Sequence, residues 1–163
     1  LVSSIFNVVW RISRYFGFGV KQWAYLTTTS IIGPLLIANI ILKNNWGRAR
    51  PRQLLEFGGN LEFSPPILLS DQCQTNCSFI SGEPSSMFMI FISLAFILPA
   101  KRLLLIMAMI IMGMLSGIMR MGQGGHFLSD VIFAGLLMAM SAAIIYWVMF
   151  YSKWKLADSR LAR

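Results

Sequence analysis

The sequence predicts an all-α fold, a polytopic bundle of transmembrane helices. Of the 163 residues, 56% are hydrophobic and 12% are charged, whereas a soluble domain carries about 25% charged residues. Crossing the hydrocarbon layer of a bilayer takes roughly 20 mainly apolar residues. Four apolar runs bounded by charges approach this length, at residues 24–42, 85–100, 103–119 and 131–151. We therefore expect at least four spans in this chain.

The second and third runs are short and would also suit buried helices of a soluble protein. Four such runs leave too little polar sequence to cover them, so the membrane interpretation is preferred. We expect residues 1–23 to form an amphipathic juxtamembrane segment, residues 24–151 the transmembrane domain and residues 152–163 a basic cytoplasmic tail. The chain opens on Leu1 without a signal-peptide pattern, which predicts that the natural chain extends further upstream.

The net charge of +8 suits either a nucleic-acid binder or a membrane protein that obeys the positive-inside rule, and the positions of the charges decide between them. When the loops alternate sides, Lys21, the Lys101–Arg102 turn and the tail fall together on the side that the rule makes cytoplasmic. We expect no nucleic-acid partner. The outer loops are then 43–84 and 120–130. Their basic residues run against the rule, which indicates a function beyond anchoring at lipid headgroups; they are Lys43, Arg48, Arg50, Arg52 and Arg120.

Two clusters of these outer loops suit the binding of phosphate oxygens. In the first, Lys43 is followed after six residues by Arg50-Pro51, and both cations offer several donors. The second is Ser81–Pro84, where Pro occupies a plausible first helical position. A helix start presents free N–H groups and the positive end of a dipole, so it attracts anions.

The third cluster is Arg120, then His126 after five residues, then Asp130 after three. If residues 126–130 are helical, His126 and Asp130 share a face. The carboxylate would then accept from one imidazole nitrogen and leave the other free to attack. The alternatives are that His126 is a polar anchor at the interface, and that Asp130 and Glu83 are acids favoured by helix dipoles.

In this order, the three clusters resemble the signature of the type 2 phosphatidic acid phosphatase superfamily over residues 24–150. That signature reads Lys, six residues, Arg-Pro; then Pro-Ser-Gly-His; then Ser-Arg, five residues, His, three residues, Asp. The first motif matches fully. In the second, Ile80 replaces Pro and Glu83 replaces His, and in the third Met119 replaces Ser.

The resemblance implies a phosphoric monoester hydrolase that removes a phosphate group from a membrane lipid through a phosphohistidine. His126 would be the nucleophile, Asp130 its orienting partner and Glu83 the proton donor in place of the family's His. No metal or organic cofactor is implied, because a cage of cations and donors stabilises the transferring group. The phosphate-binding residues would be Lys43, Arg50, Ser81, Gly82 and Arg120.

The loop around Cys73 and Cys77, followed by Ser-Gly-Glu, is similar to a bacterial subgroup of this family, the lipid A 4′-phosphatases. That likeness implies an integral protein of the bacterial inner membrane, with its site facing the periplasm. The two Cys are either a local disulfide or free thiols, and an oxidising outer side favours the disulfide. Arg48 and Arg52 are expected to contact headgroups, and Gly113 and Gly117 to serve helix packing.

Two other functions stay open at this point. A phosphotransferase would pass the phosphoryl group from His126 to a second lipid instead of water. A catalytically dead relative, acting as a membrane scaffold or transporter subunit, is suggested by the loss of the second-motif His. Vanadium haloperoxidases share this residue set, but they are soluble. The sequence names neither the lipid nor the oligomeric state.

Overall fold

The computed structural model describes residues 10–151, and this part of the chain is all-helical, without a β-strand. The predicted fold class, a helical membrane bundle, is thereby confirmed. Residues 1–9 of the predicted juxtamembrane segment and the tail 152–163 lie outside the described residues. A short helix at residues 10–16 precedes four long elements. These are α1 (Val20–Asn45), α2 (Gly82–Ile97), α3 (Arg102–Gly122) and α4 (Leu128–Tyr151).

Within the described residues, three helices are long and apolar enough to cross a bilayer: α1, α4, and α3 with its preceding turn from Pro99. Helix α1 has 26 residues, and Pro99–Gly122 and α4 have 24 residues each. The fourth, α2, has 16 residues and rises only about 24 Å, less than the roughly 30 Å of hydrocarbon. The expectation of at least four spans therefore stays a prediction for α2.

Helix α1 changes its winding where it carries an internal proline. Residues Ile31–Leu42 form a π-helix that contains Pro34, whose ring nitrogen has no N–H to donate. The carbonyl of Pro34 accepts a hydrogen bond from the Asn39 side-chain amide at 2.8 Å. The amide oxygen of Asn39 accepts in turn from Lys43 Nζ at 3.0 Å. The π-helix is thus connected through Asn39 to Lys43, the first predicted site residue.

Small residues let the helices approach closely. Gly113 of α3 lies against the ring of Phe88 in α2, and a side chain at Gly113 would overlap that ring. A Cβ at Gly117 would stand 2.5 Å from Val131 Cγ1 in α4. Both glycines are buried. Their predicted role in helix packing is therefore confirmed.

The four helices bring their polar ends to one side of the bundle. Lys43 closes α1, Ser81 is the N-cap of α2, Arg120 lies in the last turn of α3 and Asp130 in the first turn of α4. The opposite side has the Lys101–Arg102 turn. Rigid helix ends thus hold the predicted site residues at one end of the bundle.

Candidate active site

Backbone hydrogen bonds join the outer loops into one unit. The amide of Ser78 donates to the carbonyl of Arg48 at 2.8 Å, and the amide of Arg52 donates to the carbonyl of Gly124 at 3.1 Å. Gly124 has a positive φ of 61°, and a Cβ there would stand 2.9 Å from Arg52 Cβ. Loops 43–84 and 120–130 are therefore docked on each other, with a glycine at the point of closest approach.

His126 is buried and lies just before α4. Its Nδ1 is 2.6 Å from the carbonyl oxygen of Ser78. Because a carbonyl oxygen can only accept, Nδ1 carries the proton of this hydrogen bond. In a neutral imidazole the lone pair is then on Nε2, an atom that has no hydrogen-bond partner among the described residues. This is the tautomer that a nucleophilic Nε2 requires.

The carboxylate of Asp130 contacts other groups than the imidazole. It accepts hydrogen bonds from Ser78 Oγ at 2.5 Å, from the Phe127 amide at 2.9 Å and from Arg48 Nη1 at 2.5 Å. His126 Nδ1 stands 3.8 Å from Asp130 Oδ2, beyond hydrogen-bond distance. Asp130 therefore holds Ser78, and the Ser78 carbonyl holds the imidazole.

The reason for this difference is local backbone structure. The sequence hypothesis placed residues 126–130 in one helix, but α4 begins at Leu128 and Phe127 is extended, with φ −87° and ψ 161°. His126 consequently does not lie one helical turn from Asp130. That helical premise was wrong, and the orienting contact passes through Ser78.

Arg48 is an interior residue, not a headgroup contact, and that expectation was wrong. Its side chain is 2% exposed in the ion pair with Asp130. It also donates to Ser129 Oγ and to the Ser64 carbonyl, both at 2.9 Å. Its guanidinium carbon lies 4.1 Å from the ring centroid of Phe127. Burial lowers the pKa of Arg48, while the charge of Asp130 and its hydrogen bond act in the opposite direction.

Sequence reasoning could not distinguish Arg48 from its neighbour Arg52. Both flank Arg50 in the same basic stretch. Arg52 is exposed, and its predicted contact with headgroups stays a prediction. Arg48 differs from Arg52 in its ion pair with Asp130 of α4. Ser78 was missed because its contact with Asp130 also depends on tertiary structure.

Lys43 and Gly82 meet at the start of α2. A Cβ on Gly82 would stand 2.9 Å from Lys43 Nζ and 2.6 Å from Asn39 Oδ1. Only a residue without a side chain leaves this space, so the ammonium group lies beside the first amides of α2. The N-cap residue Ser81 is buried, and its Oγ has no hydrogen-bond partner among the described residues.

Arg50 is positioned by the disulfide loop. Its Nε and Nη2 donate to the carbonyl of Asn76 at 3.1 and 2.7 Å, and Nη2 also donates to Asn76 Oδ1 at 2.7 Å. Asn76 belongs to the ring closed by the Cys73–Cys77 disulfide, which confirms the predicted bond. The amide of Cys77 donates to the carbonyl of Lys43 at 2.9 Å. The ring thus connects the two ends of the first motif.

Arg120 and Glu83 form an ion pair at the mouth of the site. Arg120 Nε lies 3.3 Å from Glu83 Oε2, and the Glu83 side chain is 54% exposed. Arg120 Nη1 also donates to Gln123 at 2.8 Å. A Cβ on Gly125, next to His126, would stand 3.7 Å from Arg120 Nη2. The structure therefore brings Arg120 close to the loop that holds His126.

The charge state of Glu83 follows from its neighbours. Partial burial raises the pKa of the Glu83 carboxyl. A hydrogen bond from its own backbone amide and the charges of Arg120 and Lys43 lower this pKa by more than burial raises it. The net pKa is below the ordinary value, so Glu83 is ionised at neutral pH. In residues 10–151 there is no cluster of three or more His, Cys, Asp or Glu side chains that could hold a metal ion.

The comparison with protein families matches this arrangement. The family model of the PAP2 superfamily covers residues 22–154, which is most of the chain. The chain belongs to the PAP2 superfamily. The three motifs described above all fall inside the matched range. No solved structure matches the chain significantly.

Three PAP2 relatives are similar to this chain, and each is named lipid A 4′-phosphatase. The protein of Francisella tularensis subsp. novicida is 40% identical over 123 residues, which is 75% of this chain and 55% of the relative. The protein of Rhizobium leguminosarum is 40% identical over 66% of this chain and 46% of the relative. The protein of Rhizobium etli is 43% identical over 62% of this chain and 39% of the relative. The chain thus spans about half the length of these relatives.

Proposed function

We propose that this PAP2 protein is a membrane phosphatase that removes a phosphate group from a lipid through a phosphohistidine on His126. The observation that carries the proposal is the buried imidazole of His126, with Nδ1 fixed by a carbonyl and Nε2 unpaired. Buried polar atoms are normally hydrogen bonded. Among the described residues only four such side-chain atoms have no hydrogen-bond partner, and three belong to the predicted site. They are Ser81 Oγ, His126 Nε2 and Arg120 Nε, the last of which lies 3.3 Å from Glu83 Oε2 in the ion pair.

The donors around His126 suit the oxygens of a phosphoryl group. Lys43, Arg50 and Arg120 provide positive charge, and Ser81 Oγ and the first amide of α2 provide uncharged donors. Such fixed donors stabilise the charge that spreads over the equatorial oxygens during phosphoryl transfer. These residues therefore bind the phosphate and stabilise the transition state.

The reaction proceeds in two displacements. His126 Nε2 attacks phosphorus in line, the phosphorus–oxygen bond to the lipid breaks, and the lipid alkoxide leaves and takes up a proton. Water then attacks phosphorus, the phosphorus–nitrogen bond breaks, and inorganic phosphate is released with His126 restored.

Glu83 has two roles in succession. In the free enzyme it is ionised and holds Arg120. When a phosphate dianion binds, it offsets the cations that lower the pKa of Glu83, so this pKa rises and the carboxylate takes up a proton from water. Glu83 then donates this proton to the leaving alkoxide and returns to the carboxylate.

The names of the relatives support lipid A, or another phosphorylated envelope lipid of bacteria, as the substrate. The charge distribution and the disulfide support a site on the periplasmic face of the inner membrane. The division into a juxtamembrane segment, residues 24–151 as the phosphatase domain and a cytoplasmic tail is part of the same proposal.

The test is phosphate release by purified protein in detergent from 4′-phosphorylated lipid A, phosphatidic acid and undecaprenyl pyrophosphate. We expect release from a lipid monophosphate, and none from the His126→Ala variant. Protein denatured during turnover should carry a phosphate that is labile in acid and stable in base. Substantial turnover by His126→Ala overturns the mechanism. Transfer of phosphate to an added acceptor lipid would identify a phosphotransferase, and absence of any turnover would identify a dead relative.

A further inference from the structure

Three consecutive aliphatic residues of the outer loop have strongly exposed side chains. Ile67, Leu68 and Leu69 are 71%, 60% and 72% exposed. Exposed aliphatic residues also cover the outer faces of α1, α3 and α4, where lipid is expected in a membrane bundle. The three loop residues lie outside these helices. A contiguous exposed patch of this kind marks an interaction surface.

This segment is attached at both ends to the residue that follows α1. The Trp46 indole Nε1 donates to the carbonyl of Pro66 at 2.7 Å, and the amide of Ser70 donates to the carbonyl of Trp46 at 3.0 Å. The indole ring stacks on Phe79, with centroids 4.7 Å apart. Since α1 ends at Asn45, Trp46 stands where a span meets the membrane–water boundary, the level that Trp prefers. The apolar segment is therefore held at this level.

The backbone of the segment is suited to the interface between hydrocarbon and headgroups. Pro65 and Pro66 have no N–H groups, and the amide of Leu68 is 3.4 Å from the carbonyl of Pro65. The amide of Ser70 and the carbonyl of Pro66 are also paired, both with Trp46. The carbonyls of Ile67, Leu68 and Leu69 have no hydrogen-bond partner among the described residues. Unpaired backbone groups exclude a loop from the hydrocarbon core, so the turn lies at the glycerol level, where headgroups and water reach these carbonyls. In sequence, the charged residues nearest to the segment are Glu62 and Asp71, and both are exposed. Arg48 Nε reaches the carbonyl of Ser64, the residue before the segment, but the Arg48 side chain is buried in its ion pair with Asp130.

We propose that residues 65–70, the apolar turn, insert into the lipid of the bilayer leaflet beside the active site. We assign lipid as the partner of this surface because the turn lies at the level where α1 leaves the hydrocarbon. Insertion fixes the outer loop on the membrane and places Arg50, four residues after Trp46, at the height of lipid headgroups. This inference concerns the membrane surface and does not depend on the proposed phosphatase activity.

The experiment places a fluorescent probe on one added cysteine at a time, with Cys73 and Cys77 left in their disulfide. The variants are Leu68→Cys in the apolar turn, Leu115→Cys on the exposed face of α3 and Glu62→Cys as a charged site of the same loop. Each protein is reconstituted in phospholipid nanodiscs, where both faces meet the buffer. Quenching is measured with a nitroxide carried by a lipid near its glycerol, and with iodide in the buffer.

We expect the lipid nitroxide to quench the Leu68 probe about as strongly as the Leu115 probe, and iodide to quench it several-fold less than the Glu62 probe. Absence of quenching by the lipid nitroxide overturns the proposal, and quenching by iodide then shows what surrounds the turn. If iodide then quenches Leu68 as it does Glu62, the turn lies in water. If iodide does not, protein covers the turn.

Discussion

Arg48 and Arg52 offer a matched pair of substitutions at the scale of single residues. Arg48→Met leaves the Asp130 carboxylate buried without its cation, which we expect to lower the free energy of unfolding by about 3–5 kcal/mol. Phosphate release should be lost with it, because Asp130 and Ser78 position His126. Arg52→Met removes an exposed cation and should leave both properties nearly unchanged.

Thermal unfolding in detergent and phosphate release, measured on both variants, check this prediction. Combining Arg48→Met with Asp130→Asn should restore much of the lost stability, because no unpaired charge then remains buried. An Arg48→Met protein as stable as the wild type would show that the ion pair contributes little.

Glu83→Gln separates the two roles of Glu83. If the carboxyl donates a proton, the variant loses most activity on a lipid alkyl phosphate, on the order of a hundredfold or more. It loses much less on p-nitrophenyl phosphate, whose leaving group needs no proton. Steady-state rates on the two substrates decide, and equal losses would mean that Glu83 acts only by holding Arg120.

The ion pair also gives a pH dependence with a definite sign. The pKa of Glu83 in the folded protein is lowered, so its contribution is complete above the ordinary Glu pKa of about 4.3. The contribution is lost as the pH falls below that value and passes through the lowered pKa. The Glu83–Arg120 contact is therefore intact at neutral pH.

Spacing along the sequence identified the candidate phosphate-binding residues but missed the residues that position the site. Lys43, Arg50 and Arg120 were found because their intervals form a pattern. Arg48 and Asn76 were missed because each acts through a distant partner. Arg48 meets Asp130 across 82 residues, and Asn76 meets Arg50 across 26. Such contacts follow from tertiary structure and leave no local periodicity.

At the scale of helices, α3 provides a second matched pair of substitutions. Gly113→Ala places a methyl group in the space of the buried Phe88 ring, whereas a Cβ at Gly122 meets nothing within 4 Å. We expect Gly113→Ala to lower stability by roughly 1–3 kcal/mol through overpacking. Gly122→Ala should be neutral or slightly stabilising, because Ala favours helix.

Unfolding temperatures in detergent measure this difference. Phe88→Leu in the Gly113→Ala background should recover part of the loss, since it frees the space that the methyl group needs. Equal unfolding temperatures for the two glycine variants would contradict the close packing of α2 on α3.

The limits of the helices were less predictable than their existence. The predicted run 24–42 lies inside α1, but the helix continues to Asn45, and the run 85–100 is preceded by helical residues from Gly82. Apolar composition stops where the lipid ends, whereas helical hydrogen bonding continues into the polar mouth. The π-helix at Ile31–Leu42 was not predicted, since Pro34 within an apolar run gives no indication of the winding around it.

For the molecule as a whole, the orientation in the membrane is a prediction of the charge distribution. Glu62→Cys in the outer loop and Ala100→Cys at the opposite turn report the two faces, and both positions are exposed. In intact bacteria with a permeabilised outer membrane, a charged maleimide should label Glu62→Cys. It should label Ala100→Cys only after the inner membrane is broken.

Mass spectrometry of the purified variants measures the labelling. The positive-inside rule supports this orientation because the Lys101–Arg102 turn lies at the end of the bundle opposite the site. Labelling in the reverse order would place the site on the cytoplasmic face and remove lipids of the periplasmic leaflet from the candidate substrates.

The contact between Arg48 and Asp130 also has a consequence for biogenesis. Arg48 leaves the ribosome 82 residues before Asp130, while α1 is already made and α4 is not. During that interval the cations of the first motif have no carboxylate from α4, and the nascent chain must expose them or shield them by other means. The site can therefore close only when α4 has been inserted, so a segment synthesised 82 residues later completes the first motif.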